Sequence, residues 1–218
     1  MPALASDGTL TTAPTLRRTQ AERRSRTRRA LLDATIACLV EVGARGTTTL
    51  EVERRAGVSR GARLHHFPNK SALLAEAVDH LYEQLSSHYE EAFGGPKRRR
   101  SELQRLRSGV RMLWTIYQRP HYTAVLELNT AARTDPELQQ GLQMVAERHR
   151  QLAQQAAAEF FPSISAAQAE LLIETIHTAF LGLRMQQGVT AGPRQVELVL
   201  GALDELAAQH FQAPNDKD

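Results

Sequence analysis

An all-α fold is expected from three features of the chain. Apolar residues recur at three- and four-residue steps over long stretches, capping residues and breakers punctuate those stretches, and β-branched residues nowhere alternate over a useful length. Together they predict about nine helices, the first three arranged as a helix-turn-helix.

The elements follow in chain order. Residues 1–19 are rich in Thr, Ala, Ser and Pro with no apolar period, and read as a disordered arm ending in Arg17 and Arg18. Leu31, Leu32, Thr35, Cys38 and Leu39 mark a first helix from Gln20 to Val42, closed by Gly43. Thr48 lies three residues before Glu51 in a capping-box pattern, which opens the second helix. That helix ends at Ala56-Gly57, where glycine accepts a left-handed conformation, and Ser59 caps a third helix, Arg60 to His66. Two short helices joined by so tight a turn match a major-groove reader, since two turns of helix span ~10 Å and the groove is ~12 Å wide.

Pro68 forbids continuation, and Asn69 caps a long fourth helix with an apolar stripe of Leu73, Leu74, Ala77, Val78, Leu81 and Leu85, ending at Gly94-Gly95-Pro96. A fifth helix carries Leu103, Leu106, Val110, Leu113 and Tyr117, and a sixth runs from Tyr122 to Arg133. Thr134-Asp135-Pro136 opens a seventh that reaches Phe160. After Pro162, Ser165 and Gln168 form a second capping box for the eighth, and Gly192-Pro193 separates it from the ninth, Gln195 to Phe211.

Composition narrows the function. With 218 residues and 42% hydrophobic content the chain can bury a core, and it has no apolar run long enough to span a bilayer. The first residues lack the charged-then-apolar order of a secretory signal, so the expected location is the cytoplasm, with no membrane association. The single Cys38 falls in an apolar run and reads as a buried structural thiol. The net charge of +3 conceals a division: residues 1–70 hold 13 Lys+Arg against 6 Asp+Glu (+7), and residues 71–218 hold 14 against 18 (−4). Basic charge beside a helix-turn-helix points to a polyanionic partner for that part and a different task for the other.

From Leu31 to Leu74 the chain, LLDATIACLVEVGARGTTTLEVERRAGVSRGARLHHFPNKSALL, resembles without a gap the amino-terminal domain of TetR-family transcriptional regulators. The resemblance implies a DNA-binding domain at 20–70, an effector-binding and dimerisation domain at 71–212, a disordered tail at 213–218, and a homodimer paired through the last two helices. It implies a regulator of double-stranded operator DNA released by a small molecule, with no cofactor, no metal and no catalytic residues. The candidate DNA contacts are Thr48, Ser59, Arg60, Gly61, Ala62, Arg63, His65, His66 and Lys70. Arg60 and Arg63 are the expected base readers, because a guanidinium can donate two parallel bonds to guanine. His65 and His66 match positions that often reach bases or phosphates, and Lys70 matches a lysine that holds phosphate near free helix amides. Thr48 and Ser59 serve either as caps alone or as caps that also touch phosphate. The arginines from Arg17 to Arg29 add counterion-release affinity or are simply solvated, and Lys97-Arg98-Arg99-Arg100 reads as a solvated loop.

Three residues depart from the family pattern. The family usually has an aliphatic residue at Arg63, a phosphate-gripping tyrosine at Leu64 and alanine at Glu53. Leu64 and Phe67, three apart, are expected to supply the buried face, which frees Arg63 for the groove. Glu53 either points outward or meets Arg54 or Arg55.

For the second half, inward aromatic and amphipathic residues suggest a cavity for an apolar or aromatic effector, with candidates Trp114, Tyr117, His121, Tyr122, Leu126, Asn129, His149, Phe160, His177 and Phe180. Two alternatives compete. Glu174 and His177 have the Glu-x-x-His spacing of helical metal-carboxylate enzymes, although such a site needs two pairs and the chain has one. The other is a DNA-binding protein that answers to no ligand.

Overall fold

Most helices begin at a residue whose side chain replaces a missing backbone partner. The computed structural model describes residues 19–93, 100–187 and 189–212. Thr19 caps α1 (Gln20–Gly46) in a capping box with Glu22, Thr48 caps α2 (Thr49–Ala56), and Ser59 caps α3 (Arg60–His66). The Asn69 amide oxygen accepts from Ala72 N at 2.8 Å at the head of α4 (Lys70–Ser86). Ser101, Asp135 and Ser165 cap α6 (Glu102–Tyr117), α8 (Pro136–Phe160) and α9 (Ala166–Gln186). Between them lie α5 (Tyr89–Phe93), α7 (Tyr122–Ala131) with a 3₁₀ turn at Ala132–Thr134, and finally α10 (Pro193–Gln212). The expected arm before Thr19, the Gly94-Gly95-Pro96 break with Lys97-Arg98-Arg99, and the expected tail at 213–218 fall outside the described residues.

The fold is all-α; among the described residues the one β feature is an isolated bridge between Gln187 and Ala191. Two boundaries differ from expectation, each for a local reason. The fourth helix divides, because the Ser86 and Ser87 hydroxyls donate back to the carbonyls of Tyr82 (3.0 Å) and Gln84 (2.6 Å) and compete with the helix ladder. The chain restarts as α5. In α1, Gly43 breaks the helix with φ 69° and ψ 179°, yet one more turn follows to Gly46. The Glu127 carboxylate of α7 holds that turn by accepting from Ala44 N at 3.0 Å.

Leu31, Leu32 and Leu39 of α1, Val52 of α2, Phe67 at the end of α3 and Leu73 of α4 are all at most 2% exposed and form the core beneath the helix-turn-helix. Cys38 lies within it, its thiol pushed up by burial, so it packs as a small apolar group. Beyond this core α4 lies along α8, α10 packs on α6 and α9, and α1 rests on α7. Phe93 of α5 sits directly over Gly109 of α6: a Cβ there would lie 2.1 Å from the ring. Gly109→Ala should therefore cost about 1–3 kcal/mol through overpacking, measured as a fall in denaturation midpoint, whereas glycine-to-alanine inside an unobstructed helix stabilises.

Candidate nucleic-acid interface and enclosed cavity

The orientation of α3 is set from below. Gly57 ends α2 in the left-handed conformation (φ 64°, ψ 35°), and Ser59 Oγ accepts from Ala62 N at 3.3 Å to start α3 immediately. Arg63, expected in the groove, is only 6% exposed. Its Nε donates to Glu53 Oε1 at 2.9 Å and its Nη1 to the Phe67 carbonyl at 3.2 Å. This corrects the sequence-based assignment of Arg63 as a base reader: its donors are committed inside the domain. It also answers where Glu53 goes, since Arg54 and Arg55 bond Glu51 instead and hold that carboxyl down at about 2. Leu64, expected inside with Phe67, is 45% exposed. The two departures from the family pattern at Glu53 and Arg63 are thus one feature, a buried ion pair.

With Arg63 and Phe67 facing the core, the outward face of α3 consists of Arg60, Gly61, Leu64 and His65, all exposed. A Cβ at Gly61 would meet nothing within 4 Å, so the backbone there is open to close approach. Ala62 is partly buried. His66 is partly buried too, and burial together with His65, Arg24 and Arg28 lowers its pKa, so it stays neutral beside α1. Thr48 and Ser59 are exposed caps, with Thr48 Oγ1 accepting from Glu51 N at 3.2 Å. The Lys70 ammonium donates to the Ala44 carbonyl at 3.3 Å, tying α4 to the end of α1. Along α1, Arg23, Arg24, Arg26 and Arg29 are exposed with no ion-pair partner among the described residues, while Arg28 pairs with Glu76.

In the second half a cavity of about 160 Å³ opens among α4, α5, α6, α8 and α9. Of the expected lining, Tyr117, His149, Phe160 and His177 are on its wall. The others are placed elsewhere: Trp114 and Phe180 pack as tilted rings 5.3 Å apart in the core, Tyr122 stacks on Tyr117 at 4.5 Å, Leu126 is partly buried off the wall, and His121 and Asn129 are exposed. Sequence reasoning missed Tyr82, Tyr89, Phe93 and Phe161, which complete an aromatic box. The signal was present, because Tyr82, Tyr89 and Phe93 are spaced seven and four apart, on one face of a helix.

The polar points of this box are specific. Burial keeps the Tyr117 phenol protonated and lowers the pKa of His177, and the two share a 2.9 Å hydrogen bond as a neutral pair. His149, 8% exposed, places Nε2 2.9 Å from Asp79 Oδ1 on α4. Asp79 also forms an ion pair with Arg148 at 2.8 Å. The other ring nitrogen of His149, Nδ1, is buried with no hydrogen-bond partner among the described residues. Glu174 is engaged by Arg150 at 2.6 Å. The metal-carboxylate alternative therefore loses both its residues, Glu174 to an arginine and His177 to a phenol, and no group of three or more metal-ligating side chains occurs among the described residues.

Residues 31–77 match the family profile described as bacterial regulatory proteins, tetR family. These residues form a DNA-binding domain of the tetR type. It is 29% identical over 197 residues to the HTH-type transcriptional regulator CymR of Pseudomonas putida, covering 89% of this chain and 96% of that one. The HTH-type transcriptional regulator BetI of Serratia proteamaculans is 41% identical over 58 residues, 27% of this chain and 29% of the other. A crystal structure of a TetR-family regulator from a Rhodococcus species shares the fold with TM-score 0.66 at 21% identity, over 84% of this chain and 99% of that one. With that domain the protein is a DNA-binding transcriptional regulator. Among the described residues no helix is long and apolar enough to cross a membrane.

Two predictions follow from this geometry. Breaking the buried pair by Glu53→Ala or Arg63→Leu alone should cost about 3–5 kcal/mol, whereas the double change, which restores two apolar residues, should regain most of it. Chemical denaturation of the three variants measures this, and equal losses in all three would refute the pairing. The second concerns pH. Because His177 has a folded-state pKa below the ordinary 6.5, the unfolded chain binds a proton first, so this group's contribution is complete above about pH 6.5 and is lost as pH falls below it. His177→Gln should flatten the fall in melting temperature between about pH 7 and about pH 5.

Proposed function

We propose that the protein is a repressor that binds a near-palindromic operator as a homodimer and is released by a small, largely aromatic effector. The observation that carries this reading is continuity: the DNA-facing helix α3 runs through Phe67–Asn69 into α4, and α4 contributes Tyr82 and Asp79 to the cavity and to its buried histidine. In this division residues 20–70 hold the DNA-binding domain and 71–212 the effector and dimerisation domain. Arg60 is the base-reading arginine, supported by its exposure at the first position of α3, and His65 accompanies it. Thr48, Ser59, Gly61 and Ala62 let the backbone come close, and Lys70 with the exposed arginines of α1 answers the phosphates.

The effector chemistry follows from the cavity. A dry apolar cavity of about 150 Å³ takes a benzene-sized molecule, so a volume of about 160 Å³ suits one ring with a small substituent. His149 Nδ1 supplies one hydrogen bond to that substituent. Because His149 is bonded to Asp79, an occupant that moves the ring moves α4, and with it the spacing of the two α3 helices in a dimer. Such coupling is typically ~1–3 kcal/mol. Dimer pairing through α9 and α10 is supported by the exposed Leu171, Met185 and Leu198 on those helices. The site of action is the cytoplasm, where the operator lies.

A selection for bound DNA sequences, repeated with a panel of single-ring compounds, tests the whole reading. The expected outcome is an inverted repeat lost in the presence of an effector that also raises the melting temperature. Failure of every compound to shift either DNA binding or stability would favour ligand-independent binding. Arg60→Ala should lower operator discrimination by about 1–3 kcal/mol and leave nonspecific binding nearly intact, as measured by competition titrations. His149→Leu should weaken effector response roughly tenfold while operator affinity without effector is retained.

A further inference from the structure

The outward face of α3 carries one large apolar side chain on a surface otherwise made of donors. Leu64 is 45% exposed, four residues after Arg60 and three after Gly61, so the three share one side of the helix. In an ordinary amphipathic helix a leucine would take the buried position and an arginine the exposed one. Here the positions are exchanged, and the exchange is built in: Glu53 stands beneath α3 to receive Arg63, which holds Leu64 outward. Gly61 adds a gap beside it, where no atom lies within 4 Å of a would-be Cβ.

We infer that Leu64 reads the C5 methyl group of a thymine in each operator half-site. This rests on the assignment of the chain as a DNA-binding regulator. In the major groove guanine, adenine and cytosine present hydrogen-bonding groups where they meet a side chain, and thymine alone adds an apolar one. A leucine cannot bond a phosphate, and packing it on a polar base edge would strand that edge's donors or acceptors. Four residues of helix advance ~6 Å, close to two base steps of 3.4 Å, so the thymine lies about two base pairs from the guanine read by Arg60.

The test uses the full-length protein and its selected operator, with each thymine replaced in turn by uracil, which removes only the methyl. Wild-type protein should lose about fourfold in affinity per half-site at one position, the effect of uncovering one methyl-sized group. Leu64→Ala should bind the thymine operator more weakly by a similar factor and be indifferent to uracil there. Leu64→Met should restore the sensitivity. A wild-type affinity unaffected by uracil at every position, or a Leu64→Ala protein that keeps the full uracil penalty, overturns the inference and leaves the regulator assignment standing. A selection that enriches no sequence overturns both. Leu64→Ala should melt within about 1–2 °C of wild type, as surface changes do, and a fall of many degrees would assign the side chain to the fold instead.

Discussion

The buried pair between Glu53 and Arg63 is the constraint on which the interface depends. An ion pair in this position is not the most stable choice, because two charges must leave water and an apolar pair of similar volume would serve stability as well or better. Its effect is orientational. One nitrogen of Arg63 is held by α2 and another by the carbonyl that ends α3, so the guanidinium locks the rotation of the recognition helix against its neighbour. Everything α3 presents on its outward face, Arg60, Gly61, Leu64 and His65, follows from that one angle.

The second half is linked to this unit by directed bonds as well as by packing. Glu127 of α7 closes the last turn of α1, Ser71 of α4 donates to Asp135 at the start of α8 at 3.2 Å, and Asn69 bonds Glu137. Further along α4, Asp79 holds His149 on the cavity wall. The same helix therefore begins at the end of the DNA-reading unit and forms one side of the cavity. In the proposed mechanism the route from His149 to the DNA-binding part is short, since it lies along the single 17-residue helix α4.

Legibility in the sequence varied with the range of the interaction. Helix starts were readable because a cap acts within three residues, as at Thr48, Ser59, Asp135 and Ser165. The exposure of Arg60, Gly61 and His65 on α3 was readable from the motif. Arg63 and Leu64 were assigned the wrong way round, since polarity alone sends arginine outward, and its partner Glu53 lies ten residues away on another helix. The cavity was read from aromatic content downstream of residue 110, which found Tyr117, His149, Phe160 and His177 but not Tyr82, Tyr89 and Phe93. Tyr82 stands on α4 and the other two on α5, beyond the break at Ser86–Ser87, so their common place on the wall depends on how the two helices meet.

By itself the sequence determined the helical class, the order and starts of the helices, the family and the basic character of the DNA-binding part. Each of these depends on local backbone chemistry or on charge sums that do not need coordinates. Tertiary structure alone decided which face of α3 is exposed, which aromatic residues line the cavity, and that Asp79 ties the cavity to α4. The physical reason is that all three depend on how helices meet, the first and last on a buried polar group finding its partner on another helix. Such a pairing depends on how helices cross, which spacing along one chain does not encode.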